Sequence, residues 1–487
     1  MQKNSNPLRK EICGVELHLP LLNGSLAPYI FFDNAASTPA LQRVVDLLNR
    51  FAPFYSSIHR GQGFKSRLAT HFYEEARRLA GEFVGYDQDR QVVIFGKNTT
   101  EAINKLSYRL EIPKQAVIIV SGMEHHSNDL PWRNRARVLF APVDPQSGVL
   151  KLEALRDLIR ENRRRLFLVA VTAAANITGI VNPVAEIAGM VHRAGAYLMV
   201  DAAQLVPHRR MVMGKTGDDN AVDFLSYSAH KMYAPFGTGV LIARRDLLKA
   251  DQGPEYRGGG TIKVVTEAQV IWADEPEIDE AGSPNVMGAV ALAEAIRFYN
   301  EIGYQRLEEQ ESRLLRRLLA GLNRLPDVEI LGPRDFSGRV DRLAVVPFNL
   351  RGRPHALVAA ILAHEFGIGV RSGCFCAHPY IKKLLGVVGD KERDLIDQIV
   401  SGDRHHVPGA VRASPGFYNE AWEIDFFLEA LAKITRDDFY GHYQLDRRSG
   451  EYFPAGWQDR FDSFPNSNPK NIRSKRTRPS VLRKRGR

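Results

Sequence analysis

The sequence predicts an α/β protein: a large domain built on a mostly parallel sheet with helices over both faces, followed by a smaller α+β domain. Three observations predict it. From about Tyr29 to Tyr299, short apolar and β-branched runs alternate with amphipathic stretches. Beyond the turn-rich EAGSPN (280–285) the alternation gives way to longer helical stretches with fewer strands. The chain of 487 residues, 44% hydrophobic and 25% charged, suits one large core with a smaller partner and excludes a collagen-like, coiled-coil or wholly disordered protein.

Each element follows from local pattern. QVVIF (91–95), AVIIV (116–120), LFLVAV (166–171), AYLMVDAA (196–203) and DFLSYS (223–228) read as strands buried on both faces. Between them, 69–85, 99–110 and 182–195 read as helices, the last opening on Asn-Pro and stopping at Gly195. A long helix is expected over about 286–301 and a polar one over 308–325, with strands VEIL (328–331) and LAVVPFNL (343–350) after them. The charged segment from Asp390 to Val407, which contains GDRHH (402–406), reads as a mobile loop or an inserted helix and turn. The expected organisation is an N-terminal segment of the small domain (1–28), the large domain (29–300), the small domain (301–442) and a disordered basic tail (443–487).

No apolar run reaches the roughly 18 residues needed to cross a bilayer, and the start MQKNSNPLRK lacks the apolar stretch of a secretion signal, so a soluble cytoplasmic protein without membrane contact is expected. The net charge of +10 belongs to the tail: residues 470–487 hold nine basic and no acidic residues, and the rest carries +1. Such a run could rest on RNA or anionic lipid, but it is read as a solvated, disordered end. Three cysteines, Cys13, Cys374 and Cys376, cannot form a disulfide framework. An extended C-x-C would place Cys374 and Cys376 on one face with His378. No second ligand pair completes a zinc site, so no metal is expected.

In a parallel sheet the ligand sits beyond the carboxyl ends of the strands. There, Lys231 follows the strand DFLSYS directly, where burial would lower its pKa and let its amine form a Schiff base. Asp201 ends the strand YLMVD with Gln204 close behind, and a carboxylate there could pair with a pyridinium nitrogen. Pyridoxal phosphate needs both, and its phosphate needs hydroxyls at a helix start, which Thr99 and Thr100 offer unless they are plain N-caps. Ser228 and His230 could add donors, and His125 or His126 could stack on a planar ring.

These residues stand within ordered motifs: FFDNAAST (31–38), IHRG (58–61), NTTEAIN (98–104), EHHSNDLPW (124–132), NITGIVNPV (176–184), VDAAQLVPH (200–208), SAHKMYAPFGTGVL (228–241), EAGSPN (280–285), RSGCFCAHP (371–379) and VRASPGFYN (411–419). In them the chain resembles the class V aminotransferase-fold enzymes of the cysteine desulfurase and selenocysteine lyase group, in the branch similar to the SufS-type desulfurases. The resemblance implies fold type I of the pyridoxal-phosphate-dependent transferases. It implies that Lys231 carries the cofactor, Asp201 holds the pyridine nitrogen, Gln204 bonds the ring hydroxyl and His125 stacks on the ring. Thr100, Ser228 and His230 would hold the phosphate, joined by Ser283 from the partner subunit of a homodimer with shared sites. Asn176 would touch cofactor or substrate, Arg412 would pair with the substrate carboxylate, and His59, Arg60 and Arg371 would line the substrate pocket.

Cys376 falls where the family keeps its sulfur-accepting cysteine. The implied reaction takes L-cysteine to L-alanine and a Cys376 persulfide, for delivery to an acceptor protein, with a nearby cation such as Arg371 favouring the thiolate. SufS-type enzymes usually carry two histidines before that cysteine, whereas this chain has Cys374-Phe375, similar to molybdenum cofactor sulfurases. The stretch between Cys376 and Arg412 is also longer. Same-face spacing suggests that Cys374 relays a persulfide from Cys376. Other readings are an aminotransferase, a C–S β-lyase or an epimerase on the same fold, and a non-enzymatic binding protein using its tail.

Overall fold

The computed structural model describes residues 6–249, 253–336, 338–402, 404 and 407–458. At its centre stands a seven-stranded sheet in the order Gln91–Gly96, Gly239–Arg244, Phe224–Ser228, Tyr197–Asp201, Leu166–Thr172, Val117–Ser121, Arg137–Ala141. The last five pair in parallel. Gly239–Arg244 runs antiparallel between Phe224–Ser228 and Gln91–Gly96 and is the single reversed strand.

The inner strands are continuous apolar runs because both faces are covered. Val169 and Val171 enter one core while Leu168 and Ala170 enter the core on the opposite face. Amphipathic helices supply the cover. Phe64–Phe83 buries Ala69, Tyr73, Ala76 and Ala80 at helical spacing and packs on Val286–Ile302. Two strands of this sheet escaped the sequence reading. Arg137–Ala141 is an edge strand whose residues are partly exposed, and Gly239–Arg244 opens inside the Pro/Gly turn that follows Lys231.

The second sheet is antiparallel, in the order Val328–Ile330, Val346–Leu350, Ala410–Ala413, Arg371–Gly373. Leucines of the helix Tyr304–Leu322, with apolar residues of His355–Phe366 and Ala421–Thr435, form its core. Of the N-terminal segment expected with this domain, Leu22 bonds the His364 carbonyl there, whereas Leu8 and Ile12 bury in the large core. Ile30 and Phe32 join the small one.

Disorder expected from Tyr443 onward is corrected by a hairpin, Tyr443–Asp446 with Glu451–Pro454. Buried Glu365 holds its base, accepting from Tyr440 N, Gly441 N and the Tyr443 hydroxyl at 2.9–3.0 Å. Composition hid this contact, because the partner lies 75 residues away from Tyr440. The basic run 470–487 lies outside the described residues. The charged insertion contains the helix Asp390–Val400, while Asp403, His405 and His406 of GDRHH lie outside the described residues. No helix among the described residues is long and apolar enough to cross a membrane.

Candidate active site

Register aligns the strand ends. Thr172 pairs with Asp201, Asp201 with Ser226, and Ser228 with Gly239. Segments leaving these ends enclose a pocket of about 280 Å³ between the sheets, lined by residues that include Lys231, Asp201, His125, Arg412 and Cys376. Gly239 must be glycine here, since a Cβ would come within 2.3 Å of the Asn98 backbone at the start of the next helix.

That helix, Thr99–Arg109, is capped by Asn98, whose side chain accepts from Glu101 N at 3.0 Å. Thr99 and Thr100 are therefore not the N-cap and stand within the first turn, at the positive end of the helix dipole and in the pocket lining. Thr99 N donates to Ser228 Oγ at 2.8 Å, and Thr100 Oγ1 lies 2.6 Å from Ser127 Oγ. Ser127 was not singled out in the sequence. Its N–H donates to His125 Nδ1 at 3.2 Å, which leaves the other ring nitrogen, Nε2, to carry the proton. Burial, with Lys231 adding to it, pushes the His125 imidazole down to about 3, so the ring is neutral.

Burial lowers the Lys231 amine to about 8, against the pull of Asp201, which raises it. Asp201 is buried and accepts from Ala203 N at 3.0 Å; burial raises its carboxyl above the usual range. Behind it lies a second buried acid, Glu124, which accepts from Asn128 Nδ2 and Thr172 N at 2.7 Å, bonds the Ser121 hydroxyl, and is pushed up to about 8 by burial. Gln204 Nε2 donates to Ala35 O at 2.6 Å. Burial also takes His230 down to about 4.

Arg412, 2% exposed, donates from Nη1 to Asn176 O and from Nη2 to Asp33 Oδ1, both at 2.9 Å. Its Nε is buried without a partner. Asp33 also lies 4.0 Å from Arg371 Nη1, so one carboxylate orients two cations at the pocket. The sequence reading missed Asp33, although it stands in FFDNAAST; nothing local marks it, and its partner is 379 residues away.

The cysteine segment departs from expectation. It is a turn and not an extended strand, with φ of +53° at Phe375 and +54° at Cys376. Cys376 is exposed at the pocket. Cys374 turns away: its thiol donates to Pro408 O at 2.8 Å, and burial raises it to about 11. The same-face premise for a Cys374 relay fails with that geometry. His378 begins the helix His378–Leu384, its ring 4.7 Å from that of His126, and its N–H donates to His126 Nε2. His126 N in turn donates to Cys376 O at 2.8 Å, so the second histidine of the pair is a clamp on the cysteine turn.

Three expected residues do not line this chain's pocket. His59 and Arg60 are exposed, and His59 Nε2 bonds Glu74 at 2.9 Å. Ser283 is exposed on the turn before Val286–Ile302.

A family model described as aminotransferase class-V matches residues 30–427. A cysteine desulfurase of Haloferax volcanii is 32% identical over 413 residues, covering 83% of this chain and 89% of that protein. One from Dickeya dadantii is 34% identical over 436 residues, 87% of this chain and 96% of that one. Among solved structures, the apo cysteine desulfurase from Thermococcus onnurineus is similar with a TM-score of 0.74 at 32% identity, covering 90% of this chain and 100% of that chain.

Proposed function

The chain belongs to the class V aminotransferase family and, within it, to the cysteine desulfurases, and on that premise we propose that it converts L-cysteine to L-alanine and receives the sulfur on Cys376. The observation that carries the reading is the meeting of a thiol, an amine of lowered pKa and a carboxylate-binding guanidinium in one pocket.

The residues present fit pyridoxal 5'-phosphate. Asp201 offers a buried carboxylate for the pyridinium, and Asn176 Oδ1 is a buried acceptor without a partner. Thr99, Thr100, Ser228 and His230 would take the phosphate, Gln204 the ring hydroxyl, His125 the ring face and Lys231 the aldehyde carbon. When bound, the cofactor supplies an electron sink for charge developed at the substrate Cα. The neutral Lys231 amine takes the Cα proton, a task that a pKa near the working pH suits. Arg412 offers its unpartnered Nε–H to the substrate carboxylate while Asp33 and the Asn176 carbonyl fix its plane.

The Cys376 thiolate then attacks the substrate sulfur. An S–S bond forms, the Cβ–S bond breaks, Cβ takes a proton to become the alanine methyl, and Cα regains a proton from the Lys231 ammonium. The exposure of Cys376 supports delivery to an acceptor protein. Exposed Ser283, outside this chain's own pocket lining, supports a homodimer in which it reaches the partner's cofactor phosphate. Three free cysteines support a reducing compartment such as the cytoplasm. The test is alanine and sulfide production from L-cysteine by protein loaded with pyridoxal phosphate. Both products should disappear in Cys376→Ala with the cofactor absorbance retained; a mutant as active as wild type would defeat the reading.

A further inference from the structure

A closed circuit of contacts joins the carboxylate-binding arginine to the residue preceding the sulfur-accepting cysteine. The guanidinium carbon of Arg412 lies 4.8 Å from the centroid of the Phe375 ring. Asn176 touches both partners: its carbonyl accepts from Arg412 Nη1 at 2.9 Å, and its Nδ2 donates to Phe375 O at 2.7 Å. Phe375 is 8% exposed and lines the same pocket.

Two consequences follow from the geometry. The ring covers one face of the guanidinium, which steers a carboxylate to the in-plane donors, where Nε has no partner. The backbone of Phe375 and Cys376 sits in the left-handed region that L side chains rarely adopt, so it persists only because neighbours over-determine it. Those neighbours are Asn176 on the Phe375 carbonyl, His126 on the Cys376 carbonyl, and the Phe375 ring wedged on Arg412. A shift of the guanidinium must move the ring, and the ring's own peptide leads directly into Cys376.

We infer that Phe375 is a positioning residue that couples recognition of the substrate carboxylate at Arg412 to placement of the Cys376 thiol. The inference rests on the desulfurase reading for the identity of the substrate. It assigns no new chemistry to the ring, which acts through Arg412 on one side and through the backbone of Cys376 on the other.

The test compares Phe375→Leu and Phe375→Tyr with wild type as cofactor-loaded enzymes. Three quantities are read: the affinity for L-alanine, which carries the carboxylate but no sulfur; the single-turnover rate of persulfide formation at saturating L-cysteine; and the rate of Cys376 alkylation by iodoacetamide without any amino acid. Phe375→Leu should weaken L-alanine about tenfold, within the range that loss of a cation–π contact allows. It should also slow persulfide formation about tenfold and change the alkylation rate severalfold, with Phe375→Tyr restoring all three to within about twofold. Phe375→Met replaces the leucine variant if that variant does not fold. Weakened alanine binding with unchanged persulfide formation and alkylation would make the ring a binding contact only. Slowed transfer with unchanged alanine affinity would make it a loop-packing residue only, and either result overturns the coupling. Wild type that yields no alanine from L-cysteine defeats the desulfurase reading instead, and alanine affinity and alkylation still decide the role of Phe375.

Discussion

Titration of Lys231 in the protein free of cofactor tests the electrostatics on which the site depends. Burial brings its amine to about 8, while the Asp201 carboxylate pulls the other way. At pH 7 an amine with that pKa is about 9% neutral, against about 0.04% for a lysine at the ordinary 10.4, roughly a 230-fold gain in reactive base. Trace labelling with a small amine-selective acylating reagent, read by mass spectrometry of the Lys231 peptide, measures this fraction directly. Labelling should climb about tenfold per pH unit up to about pH 8 and then level, while exposed lysines keep climbing beyond pH 9. Replacing Asp201 by Asn removes the group that holds the pKa up, so the inflection should move below 8. The unfolded chain binds the proton more tightly between about pH 8 and 10.5, so the protein free of cofactor gains stability as pH rises through that window, by up to about 3 kcal/mol. Lys231 inflecting together with exposed lysines, or an inflection that rises in Asp201→Asn, would refute the reasoning.

Three further outcomes are expected. Cys374→Ser should leave sulfur turnover within about twofold of wild type, because the Cys374 thiol is tied to Pro408 O and raised to about 11, where little thiolate exists at neutral pH; loss of turnover would restore a relay role. Glu124, 5% exposed and raised to about 8, binds its proton more tightly folded than unfolded, so its contribution to stability is lost as pH rises from about 4.5 to 8. Urea unfolding across that range should show wild type losing roughly 4 kcal/mol relative to Glu124→Gln, and parallel curves would contradict the assignment. Gly239→Ala drives a Cβ into the Asn98 backbone and should lower stability by about 1–3 kcal/mol and weaken pyridoxal phosphate binding, measured by thermal unfolding and cofactor titration; an alanine variant equal to wild type in both would show that the helix start yields freely.

The sequence by itself determined the layered α/β core and the residues at its strand ends. Runs such as Leu166–Thr172 are apolar on both faces because helices cover both sides of the sheet, a demand that shows in local composition alone. Lys231, Asp201 and Thr99 were legible for the same reason: each stands at, or about three residues beyond, the end of a strand fixed by its own pattern. Tertiary structure alone decided what depends on distant partners. Asp33 gains its role from Arg412, 379 residues on, and Phe375 from Asn176, 199 residues back. The turn at Phe375 and Cys376 defeated the extended reading because its left-handed backbone is imposed by those distant tethers and is not a preference of the residues themselves. The C-terminal hairpin escaped similarly, since the buried Glu365 that anchors it lies on a helix of the small domain. Periodicity reports which face of an element is covered; it carries no information about which remote side chain closes a turn or orients a cation.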